Sequence, residues 1–316
     1  MLVAPGRRDW YYGLTAEGVF TAGSHIRWLD PRGGALEESD VVEVTAHHRL
    51  VLRSRFTFAE QFARAEPHLF TWELTGHGSR CTTSVSWEGE GPAISMFENE
   101  GHTLLQGLRL AVDPAAQAEI RRLPQIGSIE IKDLTPERIA DYQGYFDHDA
   151  FRDYPAWQGC YCMEMHFAGS EADYMARTAA DNRRDMTGLI GRGHVTALLA
   201  YVDGNPVGWC NYGETTRLAG LSRKFKLDPS DHEGVGSIAC FVIAAPYRGH
   251  GVASRLLDES IDRLRARGLK AVEAYPSRSA GTAQANYHGP LEMFTRAGFQ
   301  PYREMERFVV LRKELA

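Results

Sequence analysis

The sequence predicts a mixed α and β fold organised in two domains, and three observations support this prediction. The chain has 316 residues, which exceeds the size at which one hydrophobic core usually stops growing. Its first third contains short stretches of β-branched and aromatic residues bounded by Gly, Pro or polar clusters, as strands are. Its second half alternates strand-like and helix-like segments. We therefore expect a β-rich domain at 1–112, a linker at 113–126 and a mixed α/β domain at 127–316.

The composition is that of a soluble globular protein, with 43% hydrophobic and 24% charged residues. The net charge of −6 with both signs interspersed argues against a nucleic-acid partner, which requires a basic face. No apolar run approaches the ~20 residues that span a bilayer, and the first residues lack the apolar stretch of a secretory signal. Five cysteines are an odd number and indicate reduced thiols. These features predict a cytoplasmic protein without a membrane partner.

The first domain is expected to form a curved antiparallel sheet. Strand-like stretches lie at 41–44, 50–52, 68–74 and 81–87. The segment 101–110 is compatible with a short helix or with a last strand. The residues that follow, DPAAQAEIRRLPQ at 113–125, predict a short helical linker with a proline near each end.

In the second domain, four helices are expected at 136–147, 170–191, 251–267 and 288–297. Thr135 is a suitable N-cap for the first of them. Strands are expected at 129–131, 194–201, 206–212, 236–244 and 270–275, with two closing strands within 300–311. The dipeptide Asp203-Gly204 predicts a tight hairpin between the second and third strands.

The most informative segment is CFVIAAPYRGHGVASRLL at 240–257, in which a buried strand leads through a glycine-rich turn into an amphipathic helix. A helix N-terminus attracts anions, since its first N–H groups have no internal partners and carry partial positive charge. Gly249 and Gly251 permit close approach of a phosphate to the backbone, and Arg248 adds a cation. The alternative is a plain strand–turn–helix joint in which the glycines serve geometry alone.

The run Arg248-Gly249-His250-Gly251-Val252-Ala253 matches the R/Q-x-x-G-x-G/A signature and resembles the GNAT superfamily of acetyltransferases, as does the order of elements over 127–316. Ala297-Gly298-Phe299 matches the Gly-Phe that ends the fourth helix in many members. The resemblance implies the GNAT fold and acetyl-CoA as cosubstrate. It also implies that N–H groups from Gly249 through His250, Gly251 and Val252 to Ala253 hold the diphosphate. By the same resemblance, the backbone of Phe241, Val242 and Ile243 pairs with the pantetheine arm, and Asn286 lies near the cofactor.

The chain departs from the family at the position of the proton donor. Many members carry a Tyr four residues before the closing Gly, whereas this chain has Phe294, whose ring cannot donate a proton. Tyr287 is the nearest replacement, and unaided departure of the thiolate is the alternative. An amine acceptor must also lose a proton. The candidate bases are Glu273, which lies within an apolar strand, and Glu233, with water as the alternative.

The loop 154–163, which precedes the second helix, walls the acceptor site in the family. Trp157 and Tyr161 from this loop and Tyr275 from a later strand are the candidates for the substrate pocket, and ordinary packing is the alternative for each. Cys160 and Cys162, with His166 and Cys240, invite a metal site. Their Cys-x-Cys spacing fits zinc poorly, so no metal is expected. Buried thiols are the default interpretation, and an acyl-carrying Cys160 or Cys240 is the other.

The first domain resembles the START-like helix-grip fold. The similar features are Gly23 followed by a strand, an acidic turn at 37–40, and the strand pair at 68–74 and 81–87. This resemblance implies a hydrophobic ligand or a protein partner for the domain, and a plain β-rich accessory domain is the alternative.

Two functions therefore remain. The first is an N-acetyltransferase that moves an acetyl group from acetyl-CoA to a primary amine of a small molecule, by direct transfer in a ternary complex. The second is a non-catalytic acyl-CoA sensor or interaction module, which Phe294 favours.

Overall fold

The structure is a computed structural model that describes residues 3, 7–8, 10–30, 33–77, 80–278 and 286–315. The chain divides into two compact units, Met1–Ala118 and Glu119–Ala316. Each unit contains its own seven-stranded sheet.

The first unit is an antiparallel meander in which every strand pairs with the next strand along the chain. A short helix follows β5, and three consecutive helices follow the last strand. The elements are β1 (Arg7–Arg8), β2 (Leu14–Glu17), β3 (His25–Leu29), β4 (Ala35–Thr45), β5 (Arg49–Phe56), α1 (Glu60–Ala63), β6 (His68–His77), β7 (Arg80–Glu88), α2 (Pro92–Glu100), α3 (His102–Val112) and α4 (Pro114–Glu119). The segment 101–110, for which helix and strand were both compatible, is therefore helical.

The core of this unit lies between the sheet and the helices α2 and α3. Phe97 of α2 stacks on Phe70 of β6 at 4.9 Å between ring centroids, and Leu104 and Leu108 of α3 are buried beside it. The acidic turn expected at 37–40 is wrong, because these residues continue β4. Their side chains alternate between the two faces of the strand, so that Glu37 and Ser39 point into the core.

The second unit is a mixed sheet with helices on both faces. The strand order is β13-β14-β12-β11-β10-β9-β8, and among the described strands only β11 and β12 run parallel. The elements are β8 (Ile129–Asp133), α5 (Ile139–His148), α6 (Glu171–Met175), α7 (Ala179–Gly191), β9 (Ala197–Val202), β10 (Asn205–Glu214), α8 (Ala219–Phe225), β11 (Val235–Ile243), α9 (Val252–Ala266), β12 (Ala271–Ala274), α10 (Leu291–Arg296), β13 (Gln300–Glu304) and β14 (Val309–Glu314).

The central strands are apolar on both faces because helices cover both. Every residue of β9 is buried, as expected for an inner strand. Residues of α5 and α7 pack on one face, and residues of α9 and α10 pack on the other. The hairpin between β9 and β10 has positive φ at both Asp203 and Gly204, in agreement with the tight turn predicted there.

Two predicted helices have different bounds in the structure, each for a local reason. The helix expected at 170–191 is two helices, because Thr178 and Asp181 form a second capping box that begins α7 after α6 has ended. The helix expected at 288–297 begins only at Leu291. Gly289 has φ +89°, and a residue that precedes a proline is disfavoured in the helical conformation.

Candidate active site

The two parallel strands at the centre of the sheet separate along their length. β11 pairs with β12 only from Val235 to Ile238, whereas its pairing with β10 continues to Ile243. The second half of β11 therefore has an edge that no strand covers within the described residues. An open edge of this kind offers N–H and C=O groups to an extended ligand.

β11 leads into the glycine-rich turn and the N-terminus of α9. Gly249 and Gly251 have φ of +75° and +82°, a conformation that favours glycine. No side chain caps the first turn of α9, and that turn contains no acidic residue. A Cβ atom added at Gly251 meets no atom within 4 Å. There is thus room beside the turn at Gly251, and the first N–H groups of α9 have no side-chain cap, as an anion site requires.

Arg248 does not supply the additional free cation that the sequence predicts beside this turn. Its guanidinium donates to both carboxylate oxygens of Asp153, including Oδ1 at 3.0 Å, and its Nε donates to Ile243 O at 2.8 Å. The charge of Arg248 is thus compensated by Asp153. Its side chain fixes the turn to the end of β11 and to the loop after α5.

The backbone groups expected to hold the pantetheine arm have protein partners in this structure. The N–H of Phe241 donates to Tyr287 O at 2.6 Å. Val242 O accepts the hydroxyl of Tyr145 at 2.8 Å, and Ile243 O accepts from Arg248. An arm that pairs with Phe241 must therefore displace the carbonyl of Tyr287.

The side chain of Tyr287 lies beside the open part of β11, among residues from three different segments. Its ring makes an edge contact with Trp157 at 5.4 Å between centroids, so the structure brings these two predicted residues together. The ammonium of Lys224, from α8, lies 5.3 Å from the centre of the Tyr287 ring. Lys224 Nζ also donates to Glu164 Oε1 at 2.6 Å.

These neighbours adjust the acidity of the phenol. Burial raises the pKa of Tyr287 to about 12, although the positive charge of Lys224 acts in the opposite direction. Burial by itself would lower the pKa of Lys224, but Tyr287 and Glu164 outweigh it and hold that pKa above its ordinary value. At neutral pH the site therefore contains a protonated phenol next to a protonated amine.

Glu273, the first candidate base, belongs to a different and closed network. It is fully buried, and its Oε1 accepts two hydrogen bonds from Arg312, at 3.0 and 2.6 Å. Its Oε2 lies 3.2 Å from His232 Nε2 and accepts the hydroxyl of Tyr275 at 3.0 Å. Both oxygens are thus engaged by protein groups, which does not favour Glu273 as a base.

The other predicted residues lie in several places. Tyr275 is fully buried and stacks on Phe225 at 4.4 Å. Tyr161 is buried against α5, where its hydroxyl donates to Asp147 at 2.7 Å, so its contacts are those of helix packing. Glu233 is exposed and ends a short 3₁₀ turn. Asn286 is half-buried, and its carbonyl accepts the N–H of Gly289 at 2.7 Å.

The thiols of Cys160, Cys162 and Cys240 lie near one another, with the imidazole of His166 close by. Asn211 Nδ2 donates to Cys162 Sγ at 3.2 Å and lies 2.9 Å from His166 Nε2. Burial acts to raise the pKa of Cys162, but hydrogen bonds from Cys240 and Asn211 outweigh it and lower that pKa. Burial also raises the pKa of Cys160 to about 12 and lowers that of His166 to about 4. Within the described residues, no group of three or more His, Cys, Asp or Glu side chains is arranged to hold a metal ion.

Lys224 and Glu164 are the residues of this site that sequence reasoning missed. Lys224 lies on a helix that the sequence analysis did not identify, and Glu164 lies in a short 3₁₀ turn. The one sequence signal is that Glu164 belongs to the same Cys-rich segment that was expected to wall the acceptor site.

In the second unit, the sheet therefore separates beside a glycine-rich turn at the uncapped N-terminus of α9. Residues 147–299 match the model of the Acetyltransferase (GNAT) family. The GNAT fold predicted for this part of the chain is therefore confirmed. The START-like resemblance of the first unit is not confirmed.

Several solved structures are similar to this chain. An N-acetyltransferase from Staphylococcus aureus Mu50 is 13% identical over 60% of this chain and 100% of its own, with a TM-score of 0.38. PaiA N-acetyltransferase from Thermoplasma acidophilum, solved in complex with coenzyme A, is 13% identical over 59% of this chain and 99% of its own, with a TM-score of 0.38. The GNAT domain of S. lividans PAT is 16% identical over 60% of this chain and 91% of its own, with a TM-score of 0.39.

No curated protein matches the chain in sequence. Among the helices of the described ranges, none combines the length and the apolar character that a membrane span needs.

Proposed function

We propose that the second unit transfers an acetyl group from acetyl-CoA to a primary amine of a small molecule, by direct attack in a ternary complex. The observation that carries this proposal is the uncapped N-terminus of α9 behind Gly249 and Gly251, placed directly after the part of β11 that β12 does not pair with. A diphosphate and an extended arm need these two features side by side. The match of residues 147–299 to the acetyltransferase family supports it.

The residues that would bind this cosubstrate follow one another along β11 and the glycine-rich turn. The N–H groups from Gly249 to Ala253 would hold the diphosphate, and the edge from Phe241 to Ile243 would align the arm once Tyr287 O gives up its bond to Phe241. Bound acetyl-CoA supplies an activated thioester carbonyl. N–H groups near Val242 would stabilise the negative charge that develops on its oxygen.

Tyr287 is the proton donor of this proposal, in place of the Tyr that Phe294 replaces. Phe294 is fully buried and packs against Phe299 and Phe241, so it contributes packing alone. The Tyr287 hydroxyl would hold a proton for the departing thiolate, and Lys224 with Glu164 would fix its position. The engaged oxygens of Glu273 and the exposed position of Glu233 leave the proton of the incoming amine to solvent.

The second candidate function is a sensor that binds acyl-CoA without turnover. The observations that favour it are Phe294, whose ring cannot donate a proton, and the ion pair that engages Glu164 with Lys224.

Thiol release separates these functions. Acetyl-CoA is incubated with the full chain and a panel of primary amines, free thiol is measured, and products are identified by mass spectrometry. Amine-dependent thiol release with an acetylated product supports the transferase. Binding of CoA in calorimetry without thiol release supports the sensor, and absence of binding contradicts both.

A further inference from the structure

The segment that follows α4 lies against the glycine-rich turn. The N–H of Leu123 donates to Pro246 O at 2.9 Å, and the carbonyl of Leu123 accepts from His250 Nε2 at 2.8 Å. Arg122 Nη2 donates to Gly249 O at 3.1 Å. The segment therefore holds the turn at both of its ends.

The contact of Arg122 determines the direction of one peptide group in the turn. The described residues contain no cis peptide bond, and in a planar trans peptide the C=O and N–H point in opposite directions. Because Arg122 holds the carbonyl of Gly249 outwards, the N–H of His250 points to the opposite side. That N–H is one of the group expected to hold phosphate.

Arg122 is also the cation of this turn that lacks an acidic partner. The charge of Arg248 is compensated by Asp153, and Arg255 lies 3.9 Å from Glu259. No ion pair joins Arg122 to a carboxylate of the described residues. A Cβ atom at Gly249 would lie 3.2 Å from Arg122 Cζ, so the guanidinium is in close contact with the turn.

We propose that Arg122 is a positioning residue of the phosphate site: it orients the turn through the carbonyl of Gly249 and supplies positive charge for a phosphate group of the bound nucleotide thioester. This inference rests on the proposed function and deepens it. The shared chemistry is a phosphate, either the diphosphate or the ribose phosphate of CoA. The motif residue Arg248 cannot supply that charge while Asp153 compensates it.

The test compares Arg122→Gln with Arg121→Gln in the full chain. Arg121 is the matched control, because it is the adjacent exposed arginine. We expect Arg122→Gln to weaken CoA binding roughly tenfold in calorimetry, because the peptide that carries the His250 N–H loses its fixed direction and the phosphate site loses a nearby positive charge. We expect Arg121→Gln to change it less than about twofold, as is usual for an exposed charge without a partner. Both variants should melt at the wild-type temperature.

The charge itself is tested by salt. Affinity of the wild type should fall more steeply with rising ionic strength than that of Arg122→Gln, because screening weakens contacts between exposed charges. Arg122→Lys should restore this steepness, which a role in packing alone would not do. The same two proteins are then titrated with dephospho-CoA, which lacks the ribose phosphate. If the tenfold difference between wild type and Arg122→Gln remains, the effect belongs to the diphosphate, and if it disappears, the effect belongs to the ribose phosphate.

Equal CoA affinity and equal salt dependence of Arg122→Gln and Arg121→Gln would overturn the role of Arg122 and leave the proposed function intact. Failure of the wild type to bind CoA would instead remove the proposed function itself.

Discussion

Glu273 and Glu164 are both carboxylates of the second unit that lie largely out of solvent, and their surroundings differ in one respect. Glu273 receives Arg312, His232 and Tyr275 on its two oxygens, and nothing remains for a ligand. Glu164 accepts a hydrogen bond from Lys224, and the ammonium of Lys224 lies against the ring of Tyr287, beside the part of β11 that β12 does not pair with. Of these two carboxylates, only Glu164 belongs to a network that reaches the part of β11 that β12 does not pair with.

Glu37 in the first unit is a third case, in which the partners are neutral. Tyr11 OH donates to its Oε2 at 2.7 Å and Ser39 to its Oε1 at 3.1 Å. Burial outweighs these hydrogen bonds and raises the pKa of Glu37 to about 7. Glu273 is therefore paired with a cation inside a closed network, Glu164 is paired with a cation beside Tyr287, and Glu37 has neutral partners. Each arrangement predicts a different experimental outcome.

The largest effect on stability is expected from the network around Glu273. Arg312→Met leaves Glu273 buried without its cation, and removal of one member of a buried ion pair costs about 3–5 kcal/mol. We expect the free energy of unfolding, measured with denaturant, to fall by that amount while the activity of the folded fraction is retained. The double variant Arg312→Met with Glu273→Gln should recover part of the loss. An unchanged denaturation midpoint for the single variant would show that the network is not structural.

The next largest effect is expected in the pH dependence of the stability of the first unit. Because the folded pKa of Glu37 lies above its ordinary value of 4.5, the folded state binds this proton more tightly than the unfolded chain. The corresponding stability is present below about pH 4.5 and is lost as pH rises through 7, by on the order of 3 kcal/mol.

Glu37→Gln keeps an acceptor for Tyr11 and has no charge to bury, so its stability should change less between pH 5 and about pH 8 than that of the wild type. His68 gives an opposite trend at lower pH, since burial lowers its pKa to about 4. That trend is common to both proteins and cancels in their difference. Parallel stability curves for the two proteins would contradict the assignment.

Much of this arrangement could be predicted from the sequence, but the partners that distinguish the three carboxylates could not. The turn at 248–253 is predictable because its pattern is local. Tyr287 is predictable because it is the tyrosine nearest in sequence to Phe294, which occupies the position of the usual donor. Arg312 lies opposite Glu273 only because β12 and β14 pair in one register. Lys224 and Glu164 are 60 residues apart. No local pattern reports such contacts.

At the open site, Tyr287→Phe removes the proposed donor and keeps the ring contact with Trp157. We expect kcat to fall about 10²-fold, the lower range for general acid catalysis, with little change in CoA affinity. Tyr275→Phe is the matched control from the closed network, and it should lower stability while it leaves kcat within about twofold of the wild type, since Tyr275 has no proposed role in catalysis. A wild-type kcat for Tyr287→Phe would show that the thiolate leaves unaided.

A smaller effect is expected from Lys224→Met. The charge of Lys224 lowers the pKa of Tyr287, so its removal should leave the phenol a weaker acid and lower kcat by about fivefold. Lys224→Arg keeps the charge and should leave kcat close to that of the wild type. An unchanged kcat for Lys224→Met would show that Lys224 does not act on the donor.

The account depends most on the turn before α9, and calorimetry with CoA tests it directly. Gly251→Glu places a negative charge where the diphosphate is expected, at a position where a side chain meets no atom within 4 Å. Gly268→Glu is the matched control, because Gly268 follows the other end of α9 with φ +80° and equally open surroundings. The account predicts that the wild type and Gly268→Glu bind CoA and that Gly251→Glu, although folded, does not. Equal CoA affinity for both variants would contradict it.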